Sequence, residues 1–244
     1  MTRLRTNRAT AVAADLVRAQ GYIVLLFWGA MIALFGVIST LVNILGTSHS
    51  SAWVGARWWP QFFLLSMGVQ LTAQFLRIHV SHGVTRRAFA LGGVLYGVGM
   101  SVFSGIVMQL GFVVERAVFA ANGWEQFHDQ VDIVASPLRA MGSGLEFVAL
   151  YAAYFFAGWL ISTCFYRLGV VIGLLSIIPA VAPSVTMELL QWHNPTLLGM
   201  LGSAGRSLGL TGTVSTYPAI GAIAVAILAA LTIAQLKTAA INEK

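Results

Sequence analysis

Six long apolar runs, separated by short polar stretches, set the pattern of this chain. They cover roughly residues 22–45, 61–78, 89–114, 139–165, 168–190 and 218–236. Each is close to or above the ~20 residues an α-helix needs to cross hydrocarbon. The pattern predicts an all-α polytopic membrane protein with about six transmembrane helices, the first long enough to require tilt. Ahead of the first run, Ala9, Val12, Ala13, Leu16 and Val17 share one side of a helix, while Arg8, Asp15 and Arg18 share the other. This split predicts a separate interfacial helix within residues 1–20, lying at headgroup level with its apolar side down. A run as long as 22–45 exceeds the h-region of a signal peptide, so the segment is expected to be retained.

The connections are short. Residues 76–88, reading LRIHVSHGVTRRA, link the second and third runs and hold Arg77, Arg86 and Arg87 around Gly83. Trp58 and Trp59 ahead of Pro60 mark an interfacial belt. Residues 115–138 are the first sizeable polar segment, and Tyr166–Arg167 makes a very tight connection. Pro179 and Pro183 predict a kinked or locally opened fifth helix. Residues 191–217, with five glycines between short apolar pieces, predict short or re-entrant helices at the outer surface. The whole of 1–244 reads as a single transmembrane domain.

Spacing within the runs adds detail. Ser66, Gln70 and Gln74 fall four apart, and a polar stripe of this kind is expected to face other helices or a wet path. It is a candidate pathway surface. Gly93, Gly97, Ser101 and Gly105 form a small-residue ridge, continued by Gln109, that lets another helix approach closely. Glu146 is an acid within a run. It is either a gating or pathway group or a carboxylate near the outer boundary.

Composition agrees with the pattern: 58% of residues are hydrophobic, 9% are charged, and the formal net charge is +6. A soluble domain carries about a quarter of its residues charged. The cations fall at run ends, so they point to topology and anionic lipids rather than nucleic acid. With both termini inside, the inner segments hold Arg3, Arg5, Arg8, Arg18, Arg77, Arg86, Arg87, Arg167, Lys237 and Lys244, ten in all. The outer segments hold Arg57, Arg116, Arg139 and Arg206, four in all. The bias predicts cytoplasmic termini and a cytoplasmic 76–88 loop.

Several chemistries are disfavoured. The sequence holds no G-x-x-x-x-G-K-[ST] stretch, so an ATP-driven reading needs the nucleotide on another chain. His79 with His82, and His128 with Asp129 and Asp132, do not make a full metal shell. Gly142-Ser143-Gly144 lacks the preceding glycine of an intramembrane serine protease, because Met141 stands there, and no later run contains a histidine. No catalytic residue and no metal site are expected. Cys164 is alone, which excludes an internal disulfide.

The run His82-Gly83-Val84-Thr85-Arg86-Arg87, the amphipathic start and the broken apolar pieces before the last run together resemble the membrane subunit of a bacterial ABC exporter of the type-2 permease superfamily. Gly83 to Phe89 is similar to the Gly-(Ile/Val/Met)-(Ser/Thr)-Arg-(Arg/Lys) pattern of small permeases in that class. The resemblance implies that Gly83, Val84, Thr85, Arg86 and Arg87 form a coupling helix docked on a separate ATP-binding subunit, and that residues 9–20 are an elbow helix. It also implies that a second permease half, identical or not, completes the path in the bacterial inner membrane. ATP and Mg would then reside on the partner. Two other classes stay open on the residues alone: a non-transporting membrane subunit, such as an assembly or sensor partner, and an ATP-independent secondary carrier.

Overall fold

The structure, a computed structural model, describes residues 2–45, 51, 53–123, 137–191 and 216–238. The helices over these residues are α1 (Thr2–Leu45), α2 (Trp53–Ala56), α3 (58–81), α4 (Arg86–Ala121), α5 (137–168), α6 (170–191) and α7 (Thr216–Thr238). No strand occurs among the described residues. Four stretches of helix are long and apolar enough to cross a membrane: Arg8–Val42, Arg86–Ala121, Met141–Met187 and Ala219–Leu236.

Helix α1 corrects the expected elbow. It runs unbroken for 44 residues, about 66 Å at 1.5 Å per residue. The reason lies in its stripe. Ala9, Val12, Leu16, Gln20, Val24, Trp28, Met31 and Phe35 are all buried, and their spacing stays in phase across Gly21. The face read as membrane-seeking packs instead on α4, where a Cβ on Gly92 would lie 2.6 Å from Val12. Further along, Trp28 meets Phe103 edge to face at 6.3 Å, so α1 and α4 run parallel.

Helix α3 is continuous but not uniform. An α-helix over Trp58–Gln70 widens into a π-helix over Leu71–Leu76 and returns to α over Arg77–Ser81. It runs antiparallel to α1, with Phe27 stacked on Phe63 at 4.0 Å and Gln20 bonded to Gln70. Against α5 it runs parallel and very close. A Cβ on Gly68 would lie 2.1 Å from the Phe155 carbonyl oxygen, and one on Gly158 would lie 2.1 Å from that of Leu65.

Helix α5 is the centre of the core: Tyr151, Phe155, Phe156 and Trp159 are fully buried. The small ridge of α4 lies on it. Gly93 sits under the Trp159 indole, Gly97 under the Phe155 ring and Gly105 against Val148. Buried Ser101 donates to the Gly97 carbonyl at 2.8 Å, so its hydroxyl is satisfied within α4.

The chain from Pro137 to Gln191 is helical except at Gly169, where φ is +82°. Glycine tolerates this left-handed value, and the chain reverses there. Met187 and Ala149 both flank Gly221, which places the far ends of α5 and α6 beside one another on α7. Helix α6 stays helical through Pro179 and Pro183. It exposes Val170, Val171, Leu175 and Ile178 along one side. The predicted 191–217 segment falls largely on 192–215, outside the described residues.

Candidate functional site: the basic end of the bundle

The contacts fix helix directions. α1, α4 and α6 point one way; α3, α5 and α7 point the other. One end of the bundle therefore gathers the start of α1, the α3–α4 turn, the α5–α6 turn and the end of α7. Arg8, Arg77, Arg86, Arg87 and Arg167 all lie at this end. The acid nearest it among the described residues is Asp15, which pairs with Arg18 at 3.4 Å on the surface. Arg167 also donates to Gln235 of α7. Arg57, Glu115, Arg116 and Glu146 lie towards the opposite end.

The α3–α4 turn is four residues long, 82–85. His82 N–H bonds Ile78 O at 3.2 Å, Gly83 N–H bonds Val80 O at 3.0 Å, and Val84 N–H bonds His79 O at 3.0 Å, which closes α3. Gly83 takes φ +79°, the left-handed value typical after a helix C-terminus. Thr85 then caps α4: its hydroxyl accepts from Ala88 N–H at 3.2 Å. No separate coupling helix stands between Ser81 and Arg86, because the caps of α3 and α4 use the whole connection. Thr85 is thus a structural cap. Arg87 is exposed and Arg86 half-buried in the first turn of α4.

That placement is electrostatically unfavourable. Two cations at a helix N-terminus oppose the macrodipole by roughly 0.3–1 kcal/mol each. The helix cap gains nothing from them. His79 and His82 point their Nδ1 atoms at the Phe75 and Ile78 carbonyls, 2.9 and 2.7 Å away, and do not face one another. No metal-binding cluster occurs among the described residues.

The candidate pathway residues are not assembled into one surface. Gln70 accepts from Gln20 Nε2 at 3.4 Å, whereas Ser66 and Gln74 are exposed. The π-helix begins only at Leu71, so its wider turn bears on Gln74; Ser66 lies in the α-helical part, where its hydroxyl donates to the Phe63 carbonyl at 2.7 Å. The polar contact that α3 does bury is Thr72. It lies 2.8 Å from Thr163 and accepts from the Trp159 indole at 3.1 Å. Sequence spacing missed it, because Thr72, Trp159 and Thr163 meet only through the Gly68–Gly158 approach.

Glu146 is half-buried on α5, about 31 Å along the axis from Arg167. That distance is close to one hydrocarbon thickness. Ser143 of the Gly-Ser-Gly run donates to Gln109 at 3.3 Å, an amide that cannot act as a base. Glu115, read from sequence as the start of a polar segment, is instead 9% exposed. It accepts from Ser51 Oγ at 2.6 Å and from Trp53 N–H at 3.3 Å. Its partners lie more than sixty positions away, so no local signal marked it. No protein-family model, characterised protein or solved structure matches the chain.

Proposed function

We propose that this chain is the membrane-spanning permease subunit of an ATP-driven ABC exporter, docked at its basic end on a separate ATP-binding subunit. The observation that carries the reading is the α3–α4 turn, which presents Arg86 and Arg87 at a helix N-terminus where the α4 cap gains nothing from them. Arginine forks pair with carboxylates in fixed geometry, which suits a motor interface. The bilayer supports the same arrangement. From Arg86 to Arg116, α4 covers about 45 Å, which matches a bilayer of ~40–45 Å including headgroups. Helices α3 and α6, of about 36 and 33 Å, are also long enough to span, giving six crossings in alternating direction. Both described chain ends then share the basic side, and cations bias that side to the cytoplasm of a bacterial inner membrane.

The aromatic core of α5 fills the interior of one copy, so the path runs between two permease halves. Exposed Ser66 and Gln74, together with Glu146, are candidate groups along it. ATP and Mg belong to the partner.

Charge reversal tests the docking. Breaking a desolvated ion pair from one side costs roughly 2–5 kcal/mol. Arg86→Glu with Arg87→Glu should leave the protein inserted at normal yield while an ATPase no longer co-purifies and ATP-dependent transport is lost. Normal ATPase recovery with the doubly reversed chain would reduce the turn to a headgroup anchor. Recovery of a kinase or another complex instead would favour a non-transporting assembly or sensor subunit.

A further inference from the structure

Helix α3 divides into a clamped part and a loose part, and its π-helix lies between them. Below the π-helix, Pro60, Leu64, Met67 and Gly68 are buried, and the Gly68 and Gly158 contacts set backbone against backbone. At its start, Leu71 and Thr72 are buried, and Thr72 is tied to Thr163 and Trp159. Beyond it, no residue of Arg77–Ser81 is buried. Two half-buried side chains hold the register there: His79, whose ring centroid lies 5.4 Å from that of Phe89, and Val80, packed on the edge of the core. Past the turn the chain is fixed again, since Thr85 caps α4 and Ala88 and Phe89 are buried. The loose unit therefore runs from the π-helix to Val84, with left-handed Gly83 inside it.

A π-helix bonds i to i+5, so its turn holds one residue more than an α-turn; such turns are rare and frequently stand at functional sites. Leu71 and Leu76, five apart, are both buried here, as that wider turn requires. We propose that Leu71–Leu76 is a register switch with two discrete settings. Straightened to an α-helix, it frees one residue. That residue passes into the α3–α4 turn, which grows from four residues to five, and each residue from Phe75 to Ser81 advances to the place of the next. The step turns the segment by about 100° and lifts it about 1.5 Å, moving each Cα by about 3.8 Å. The clamped part stays where it is, so Arg77 and the turn move on a fixed core. The two settings are closely matched in burial. Phe75 takes the buried place of Leu76, and Ile78, now 52% exposed, takes the place of His79 against Phe89. In return Leu76 takes the exposed place of Arg77, and Val80 that of Ser81. Two apolar side chains gain cover and two lose it, so the hydrophobic contributions largely cancel. Register shifts of this kind take μs–ms. The switch belongs to this chain alone; if the exporter reading holds, a docked ATP-binding subunit favours one setting.

The test is double electron–electron resonance on the purified full chain in maltoside detergent, with no ATPase present and buried Cys164 replaced by alanine. Spin labels go on Arg77→Cys, in the moving segment, and Val171→Cys, at the same end of the bundle on α6; both positions are exposed. Two distance populations are expected, the smaller about a tenth of the total. Deletion of Ala73, an exposed residue of the π-helix, removes the surplus residue and sets Leu71 and Leu76 four apart on one face of an α-helix. The deleted chain should keep its helical circular dichroism and show one distance. In hydrogen exchange of the unlabelled, full-length chain, the amides of residues 72–78 should exchange at least about tenfold faster than those of 64–70. A single distance in the full-length chain, or two distances that survive the deletion, would overturn the switch. So would equal exchange in the two segments, a measurement that decides alone if the deleted chain does not fold. A chain with two settings but no ATPase partner keeps the switch and loses the exporter reading; one setting with an ATPase recovered does the opposite.

Discussion

Substituting Gly68 by alanine probes one of the closest helix approaches among the described residues. The added Cβ would stand 2.1 Å from the Phe155 carbonyl oxygen and 2.9 Å from Trp159 N. Favourable contact needs about 3.5 Å, so the shortfall is roughly 1.4 Å. Both obstructing atoms belong to backbone and cannot rotate aside, so α3 and α5 must separate by about 1 Å. A gap of that size forfeits about a quarter to a half of the dispersion well along the contact. It also stretches the bonds at Thr72, now 2.8 and 3.1 Å. Overpacking of this kind costs about 1–3 kcal/mol, and the weakened hydrogen bonds add roughly 1 kcal/mol. The gain in helix propensity from glycine to alanine returns about 1 kcal/mol. Gly68→Ala should therefore lose about 1–3 kcal/mol in a denaturant titration of the detergent-solubilised protein followed by far-UV circular dichroism. Gly99, whose added Cβ meets nothing within 4 Å, is the control, and Gly99→Ala should be neutral or slightly stabilising. Gly158→Ala should resemble Gly68→Ala, and the double variant should be sub-additive because one separation relieves both clashes. A Gly68→Ala protein as stable as Gly99→Ala would refute the α3–α5 packing.

Two further outcomes follow from buried polarity and from topology. Thr72→Val removes the acceptor of the Trp159 indole and should cost about 1–3 kcal/mol in the same titration, while Thr163→Val, which leaves that acceptor in place, should cost less; equal losses would contradict the assigned bond directions. In intact cells, Ser81→Cys should react only with membrane-permeant thiol reagents and Asn122→Cys with impermeant ones, in a background where buried Cys164 is replaced; outside labelling of position 81 would reverse the orientation.

The helical class and the long apolar runs were legible because a bilayer-length run interrupted by charge is a strong, periodic signal. The small ridge of α4 was legible for the same reason: four small residues repeat every fourth position, and Gly93, Gly97 and Gly105 lie against α5. Gly68 and Gly158 make closer contacts but stand alone, and one glycine in an apolar run carries no period. The elbow was misread at Gly21, where a chemical break in the sequence is not a break in the stripe; Gln20, buried and bonded to Gln70, carries the stripe through. The π-helix of α3 has no marker in single-sequence spacing, and it lies between Gln70 and Gln74. At the candidate site the residues were visible but their division of labour was not. Thr85 reads as a contact hydroxyl until its bond to Ala88 N–H shows it as a cap, and a four-residue turn leaves no room for a coupling helix. Glu115 was invisible as a buried group because Ser51 and Trp53 reach it only through tertiary packing.

The central claim is that the basic end of this bundle faces the cytoplasm and holds an ATP-binding partner. The most direct measurement places a photo-crosslinking amino acid at Ser81, exposed beside Arg86 and Arg87, and separately at Asn122 at the opposite end, then identifies the captured proteins by mass spectrometry from irradiated cells. The account predicts that position 81 captures an ATP-binding subunit and that position 122 does not. Capture of no nucleotide-binding protein from position 81, or capture of the same one from position 122, would contradict it.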